Sequence, residues 1–194
     1  MYKKQTVFII SIGLVLGLAA QSSSNYPVRK GFIIGIGLGP SYLIPKYKVG
    51  NMSVSLDNEF AIMSDIIIGY APSDQIMIYW SSKINWHGME NNRGDKATFT
   101  FWQGGVGTTY FLKPEPVSPF VSGGVGFSSF GAPFENNIDP IYGIGFFIGG
   151  GYEFVKHFTV KGDLIWGNPG EEAFGERVSR NTLGIAVSIN FLLH

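Results

Sequence analysis

After about residue 30, apolar and polar positions alternate with a period of two, and no helical period interrupts them. The pattern predicts eight strands, at about 31–43, 59–71, 75–87, 98–113, 120–131, 141–155, 158–168 and 180–191. Most are longer than the 5–6 residues of a mean soluble strand and reach the roughly 9–11 that a tilted strand needs to cross a bilayer. Their links alternate. Those after the first, third, fifth and seventh strands are long, at 44–58, 88–97, 132–140 and 169–179. The others are tight turns at Pro72-Ser73-Asp74, Pro114 to Pro119 and Lys156-His157. Long loops at one end and short turns at the other describe an antiparallel up-and-down barrel crossing a membrane.

Alternation divides each strand into two faces. In the first strand Phe32, Ile34, Ile36, Leu38 and Tyr42 oppose Gly31, Gly35, Gly37, Gly39 and Ser41. In the sixth, Tyr142, Ile144, Phe146 and Ile148 oppose Gly143, Gly145 and Gly149. In the fourth strand Phe99 and Phe101 are out of phase with Trp102, Val106 and Tyr110, which predicts a β-bulge.

The charges decide which face meets lipid. Glu59, Asp65, Lys83, Glu153, Lys161, Asp163 and Arg180 all fall on the glycine-rich face. A charge facing hydrocarbon costs about 2–4 kcal/mol near the midplane, so the glycine-rich face is the lumen. Rows of glycine weaken a soluble strand, whereas in a crowded lumen they leave room for a few large side chains. Aromatic residues gather near the strand ends. Tyr70, Tyr110, Phe120, Tyr152, Phe154, Phe158 and Phe191 lie toward the short turns; Tyr42, Phe60, Trp86, Tyr142 and Trp166 lie toward the long loops. Two such girdles match the interfacial belts of membrane barrels. Arginine at Ile148 is expected to cripple insertion, and serine at Gly149 to be tolerated.

Upstream, Lys3-Lys4, the apolar stretch Val7 to Ala20 and the small residues after it describe a secretory signal peptide. The expected domains are therefore a leader at 1–22 and a barrel at 23–194, with twelve basic and fourteen acidic residues in the mature chain. There is no basic excess for nucleic acid, and the absence of cysteine removes disulfides, thiolate metal sites and cysteine nucleophiles. No glycine cluster fits a nucleotide-binding loop, and neither cofactor nor metal is expected.

Three segments carry a family resemblance: Gly105-Val106-Gly107-Thr108-Thr109-Tyr110-Phe111, Pro119 to Phe127, and Gly149-Gly150-Gly151-Tyr152-Glu153-Phe154. They resemble the small eight-stranded outer-membrane barrels of the OmpA membrane-domain and OmpX type. The last strand, with Thr182, Gly184, Val187, Ile189 and Phe191, is similar to the C-terminal signal read by the barrel-assembly machinery. It departs from that pattern by carrying Leu192-Leu193-His194 after Phe191. The resemblance implies a Gram-negative outer membrane with outer-membrane lipid as neighbour, periplasmic termini and extracellular long loops.

An eight-stranded barrel is just wide enough for its own side chains to fill. Met77, Tyr79, Phe111, Phe147 and Ile165 point inward by parity. Pairing across the turns sets Asp65 near Lys83 and Glu153 near Lys161, with Asp163 one step further up; such buried charges read as structural ion pairs. Lipid A deacylases of the PagL type, on a similar fold, use a His-x-Ser pair. Here His87 precedes Gly88-Met89, where it is expected to reach Glu59, and His157 precedes Phe158-Thr159 at the short-turn end. The sequence thus predicts a non-enzymatic barrel that supports the envelope or displays binding loops at 44–58, 88–97, 132–140 and 169–179. A narrow small-solute channel of the OmpW type is the alternative, with a lipid A-modifying enzyme behind it.

Overall fold

The computed structural model describes residues 29–50, 52–90, 96–135, 139–173 and 176–194. The expected leader at 1–22 lies outside the described residues. Nine strands follow one another: β1 (Gly31–Val49), β2 (Met52–Ser55), β3 (Glu59–Ala71), β4 (Ile76–Glu90), β5 (Lys96–Phe111), β6 (Pro119–Gly131), β7 (Ile141–Val155), β8 (Phe158–Ala173) and β9 (Glu176–Leu193). β2 pairs only with the end of β1. The other eight pair antiparallel in chain order, and β9 closes onto β1. This is the all-β, eight-stranded up-and-down barrel that the alternation predicts.

Closure fixes the barrel's dimensions. The row Gly35, Ile67, Ser81, Gly105, Gly126, Gly145, Gly167, Thr182 returns to β1 at Pro45, ten residues beyond its start. A stagger of that size tilts the strands by about 35–45° to the axis and leaves an interior filled by side chains.

The strands outrun their expected ends at the long-loop side. β1 continues to Val49 and folds back through β2, β4 meets β5 as far as Glu90 and Lys96, and β8 meets β9 as far as Ala173 and Glu176. Three of the four expected loops thus include paired strand. The physical reason is that the apolar outer face ends before the ladder does: Lys46 and Lys48 take the outward positions on β1, and Glu171 and Glu172 put charge on both faces of β8, while the backbone pairing continues. Within 132–140, the described residues carry no strand.

The outer wall is apolar. Phe32, Ile36, Leu38, Ile62, Ile144, Ile148, Val187 and Ile189 all project from it, exposed. Three of its polar residues serve the tryptophans, whose N–H groups need acceptors. Trp86 Nε1 donates to Ser64 Oγ at 3.0 Å, Trp102 Nε1 to Ser82 Oγ at 2.8 Å and Trp166 Nε1 to Asn181 Oδ1 at 2.9 Å. Each acceptor sits on the neighbouring strand, two residues from the tryptophan's direct cross-strand partner.

Three sequence expectations change here. β5 carries no bulge: it pairs in continuous register with β4 and β6, and Phe101 is buried in the lumen while Trp102 stays on the outer wall. Two phenylalanines simply occupy inward positions, so the apolar pattern changes face without a shift of phase. The register shift lies instead between Glu153 and Val155 on β7. Phe120 belongs to the lumen and not to the girdle, tilted against Phe111 with ring centroids 5.2 Å apart. Serine at Gly149 is not accommodated, because a Cβ there would stand 2.5 Å from the Gly162 carbonyl oxygen. Some inward glycines clear room for rings: a Cβ at Gly124 would meet Phe147 at 2.5 Å. Others let strands approach, as at Gly143, where a Cβ would lie 2.0 Å from the Asn168 carbonyl oxygen.

Candidate functional site

The lumen holds charged side chains at three levels. At the short-turn end Arg29, two residues ahead of β1, is almost fully buried, and its guanidinium lies 3.9 Å from the Phe111 ring centroid. Its Nε donates to Glu153 Oε2 at 2.8 Å, and its Nη2 forms an ion pair with the same oxygen. Nη1 donates to the Asp74 carbonyl oxygen and Nη2 to that of Glu115, each at 2.8 Å. The Arg29 backbone N–H donates to Asp74 Oδ1 at 2.8 Å. One side chain therefore ties two turns and β7 together. Glu153 is not the partner of Lys161, as the turn-based pairing had it. The bulge at its end of β7 sets Glu153 opposite Thr159 and Lys161 opposite Gly151, and Arg29 takes the carboxylate.

Mid-barrel, Lys83 is fully buried between two carboxylates. It forms an ion pair with Asp65, which also accepts from Ser81 Oγ at 3.0 Å. It reaches across the lumen from β4 to Asp163 on β8 at 3.0 Å. Asp163 is shared with Lys161 at 3.1 Å. Both ammonium groups lie over the Phe147 ring, at 4.8 and 4.9 Å from its centroid. Two cations and two anions, all at most 5% exposed, thus close a neutral network. Such mutual compensation is what buried charges require. Parity put these residues in the lumen; it did not reveal that Asp163 bridges both lysines.

The third layer is the mouth at the long-loop end. Arg180 Nη2 donates to both oxygens of Glu59 at 2.8 Å, and His87 Nε2 lies 3.1 Å from Glu59 Oε2. His87 is therefore where its expected contact with Glu59 places it. Its ring stacks near Phe99 and Phe130, which stack on each other with centroids 5.5 Å apart. Among the described residues no histidine bonds a serine hydroxyl, and no group of His, Asp and Glu side chains is arranged to hold a metal. At the other end His157 Nδ1 lies 2.8 Å from the Leu192 carbonyl oxygen. Beside it, burial first and the His157 ring second push the His194 imidazole down to about 4.

Below the charged network, Tyr79, Phe111, Phe120, Met77 and Leu192 crowd around a void of about 20 Å³. That is room for roughly one water. The residues of the expected assembly signal lie on the closing strand β9. Thr182 and Gly184 face the lumen, and Val187, Ile189 and Phe191 the outer wall.

No known family model matches the sequence, and no curated protein matches it. Among solved structures, the outer membrane protein OprG from Pseudomonas aeruginosa superposes with a TM-score of 0.52. It is 9% identical, over 88% of this chain and 100% of that one. The chain has the fold of the small eight-stranded outer-membrane β-barrels. Neisserial surface protein A is a second such likeness, with a TM-score of 0.50 and 10% identity over 80% of this chain and 96% of that one. Similarity at this level is one of architecture, the closed antiparallel barrel wall. The ion network and the Arg29 plug are read from this chain's own residues.

Proposed function

We propose that the protein is a non-enzymatic integral outer-membrane barrel that supports the envelope and presents its long hairpins at the cell surface. The observation that carries this reading is the contrast between its faces. Large apolar side chains cover the outer wall, while Asp65, Lys83, Lys161 and Asp163 compensate one another across the lumen, which supports a closed interior. A wall of that composition is stable against hydrocarbon, with outer-membrane lipid as the partner. The tight turns near Pro72, Lys113 and Lys156, together with both barrel termini, share one end, which supports a periplasmic placement of that end. The β1–β2, β4–β5 and β8–β9 hairpins and the 132–140 segment would then face outward, where surface ligands meet them.

Planar-bilayer recording tests the closed lumen. The folded protein is expected to give no discrete conductance steps in molar salt. Reproducible single-channel steps, altered in size by Lys83→Met, would instead establish the narrow small-solute channel.

Within this reading, Thr182, Gly184, Val187, Ile189 and Phe191 serve as the signal for the barrel-assembly machinery. Gly184→Ala separates recognition from packing. A Cβ there would meet Leu43 Cδ2 at 3.1 Å, a crowding that small shifts of the leucine relieve, and Ile165 Cβ and its carbonyl oxygen at 3.7 Å, ordinary van der Waals contacts. Stability in detergent is expected to change by less than about 1 kcal/mol. The yield of assembled protein in cells is expected to fall severalfold. Unchanged yield in cells would remove the signal role.

A further inference from the structure

Above the Glu59–Arg180 pair the lumen widens into a cavity of about 490 Å³ at the long-loop end. Its walls are the rings of Tyr47, Phe99 and Phe130 and the charged groups of Asp57, Glu59 and Arg180. A volume of this order suits a small organic molecule. Beneath it the buried Lys83, Asp65, Asp163 and Lys161 network crosses the lumen, which supports a cavity closed at its inner end.

The chemistry of the walls selects the occupant. Arg180 already shows that a cation rests well there, with its guanidinium 3.8 Å from the Phe130 ring centroid and 5.9 Å from that of Tyr47. Its charge is answered by both oxygens of Glu59. Asp57, exposed at the rim, has no hydrogen bond or ion pair among the described residues. Two carboxylates against one guanidinium leave the cavity one negative charge in excess. The surrounding end of the barrel has the same sign: on the β8–β9 hairpin alone Glu171, Glu172 and Glu176 face a single Arg177. Aromatic faces attract cations through the ring quadrupole, and an acidic rim raises their local concentration.

We propose that this mouth cavity is a dead-end binding site for a small organic cation, an ammonium or flat aromatic cation held between the Tyr47 and Phe99 rings and the Asp57 carboxylate. The site goes beyond the closed-barrel reading, because it retains a ligand at the surface and passes nothing through.

The probe is phenyltrimethylammonium, titrated by calorimetry into the folded protein in non-ionic detergent micelles, with protein-free micelles as the blank. Benzoate, a flat anion of similar size, is the comparison. Saturable one-site binding of the cation is expected, with benzoate at least about tenfold weaker. Asp57→Asn and Phe99→Leu are each expected to weaken the cation about five- to tenfold. Both variants should still migrate as folded protein on an unheated gel. Absence of saturation, benzoate binding as tightly as the cation, or affinities unchanged in both folded variants would overturn the site. None of these outcomes bears on conductance, so failure of the site and failure of the closed lumen remain distinguishable.

Discussion

Replacing Lys83 by methionine is expected to destabilise the folded barrel by about 3–5 kcal/mol, the usual cost of removing one partner from a buried ion pair. The substitution strands Asp65, whose remaining polar partner is Ser81, and deprives Asp163 of one of its two lysines. Adding Asp65→Asn should recover a large part of that loss, since the orphaned charge disappears while Asp163 keeps Lys161 at 3.1 Å. A double-mutant cycle on unfolding in detergent micelles measures this directly as a coupling energy. Strictly additive effects would mean that the network does not act as a unit.

Arginine at Ile148 carries the second large effect. Ile148 is 60% exposed on the outer wall, mid-way along β7 and opposite Gly123 on β6 and Leu164 on β8. Against hydrocarbon the charge costs about 2–4 kcal/mol, and the folded fraction in lipid vesicles should fall sharply. Ile148→Phe keeps the wall apolar and should insert like the parent. Equal insertion of both variants would mean that this wall does not face lipid.

How far the sequence could be read depended on which physical signal each residue left. The number and order of the barrel strands were legible because one face of every barrel strand must be apolar, and the seven inward charges were legible by parity alone, whereas the short β2, exposed throughout, was not. Strand ends were not, because Lys46 and Lys48 on β1 and Glu172 on β8 stand at outward positions where an apolar residue is expected, while the ladder continues past them. Phe99 and Phe101 misled because a ring is as welcome in a crowded lumen as on the wall. Partner choice was the least legible. Lys83 reaches Asp163 across 80 residues of sequence, a contact that closure of the barrel creates and no turn predicts. Arg29 went unread although a signal existed. It keeps the inward parity of Gly31 and Ile33, and extending the alternation two residues back from β1 would have placed it in the lumen. Gly149 failed for another reason: how near the neighbouring backbone passes is a property of the coiled sheet, not of the polarity pattern.

This chain forms a closed barrel held by a continuous backbone ladder inside an apolar outer wall. Gel migration of the detergent-folded protein with and without heating tests that closure most directly. A closed ladder persists in detergent, because opening it would expose unpaired backbone groups to an apolar phase. The unheated protein should therefore run ahead of the boiled one. Identical migration of the two samples would contradict the closed membrane barrel.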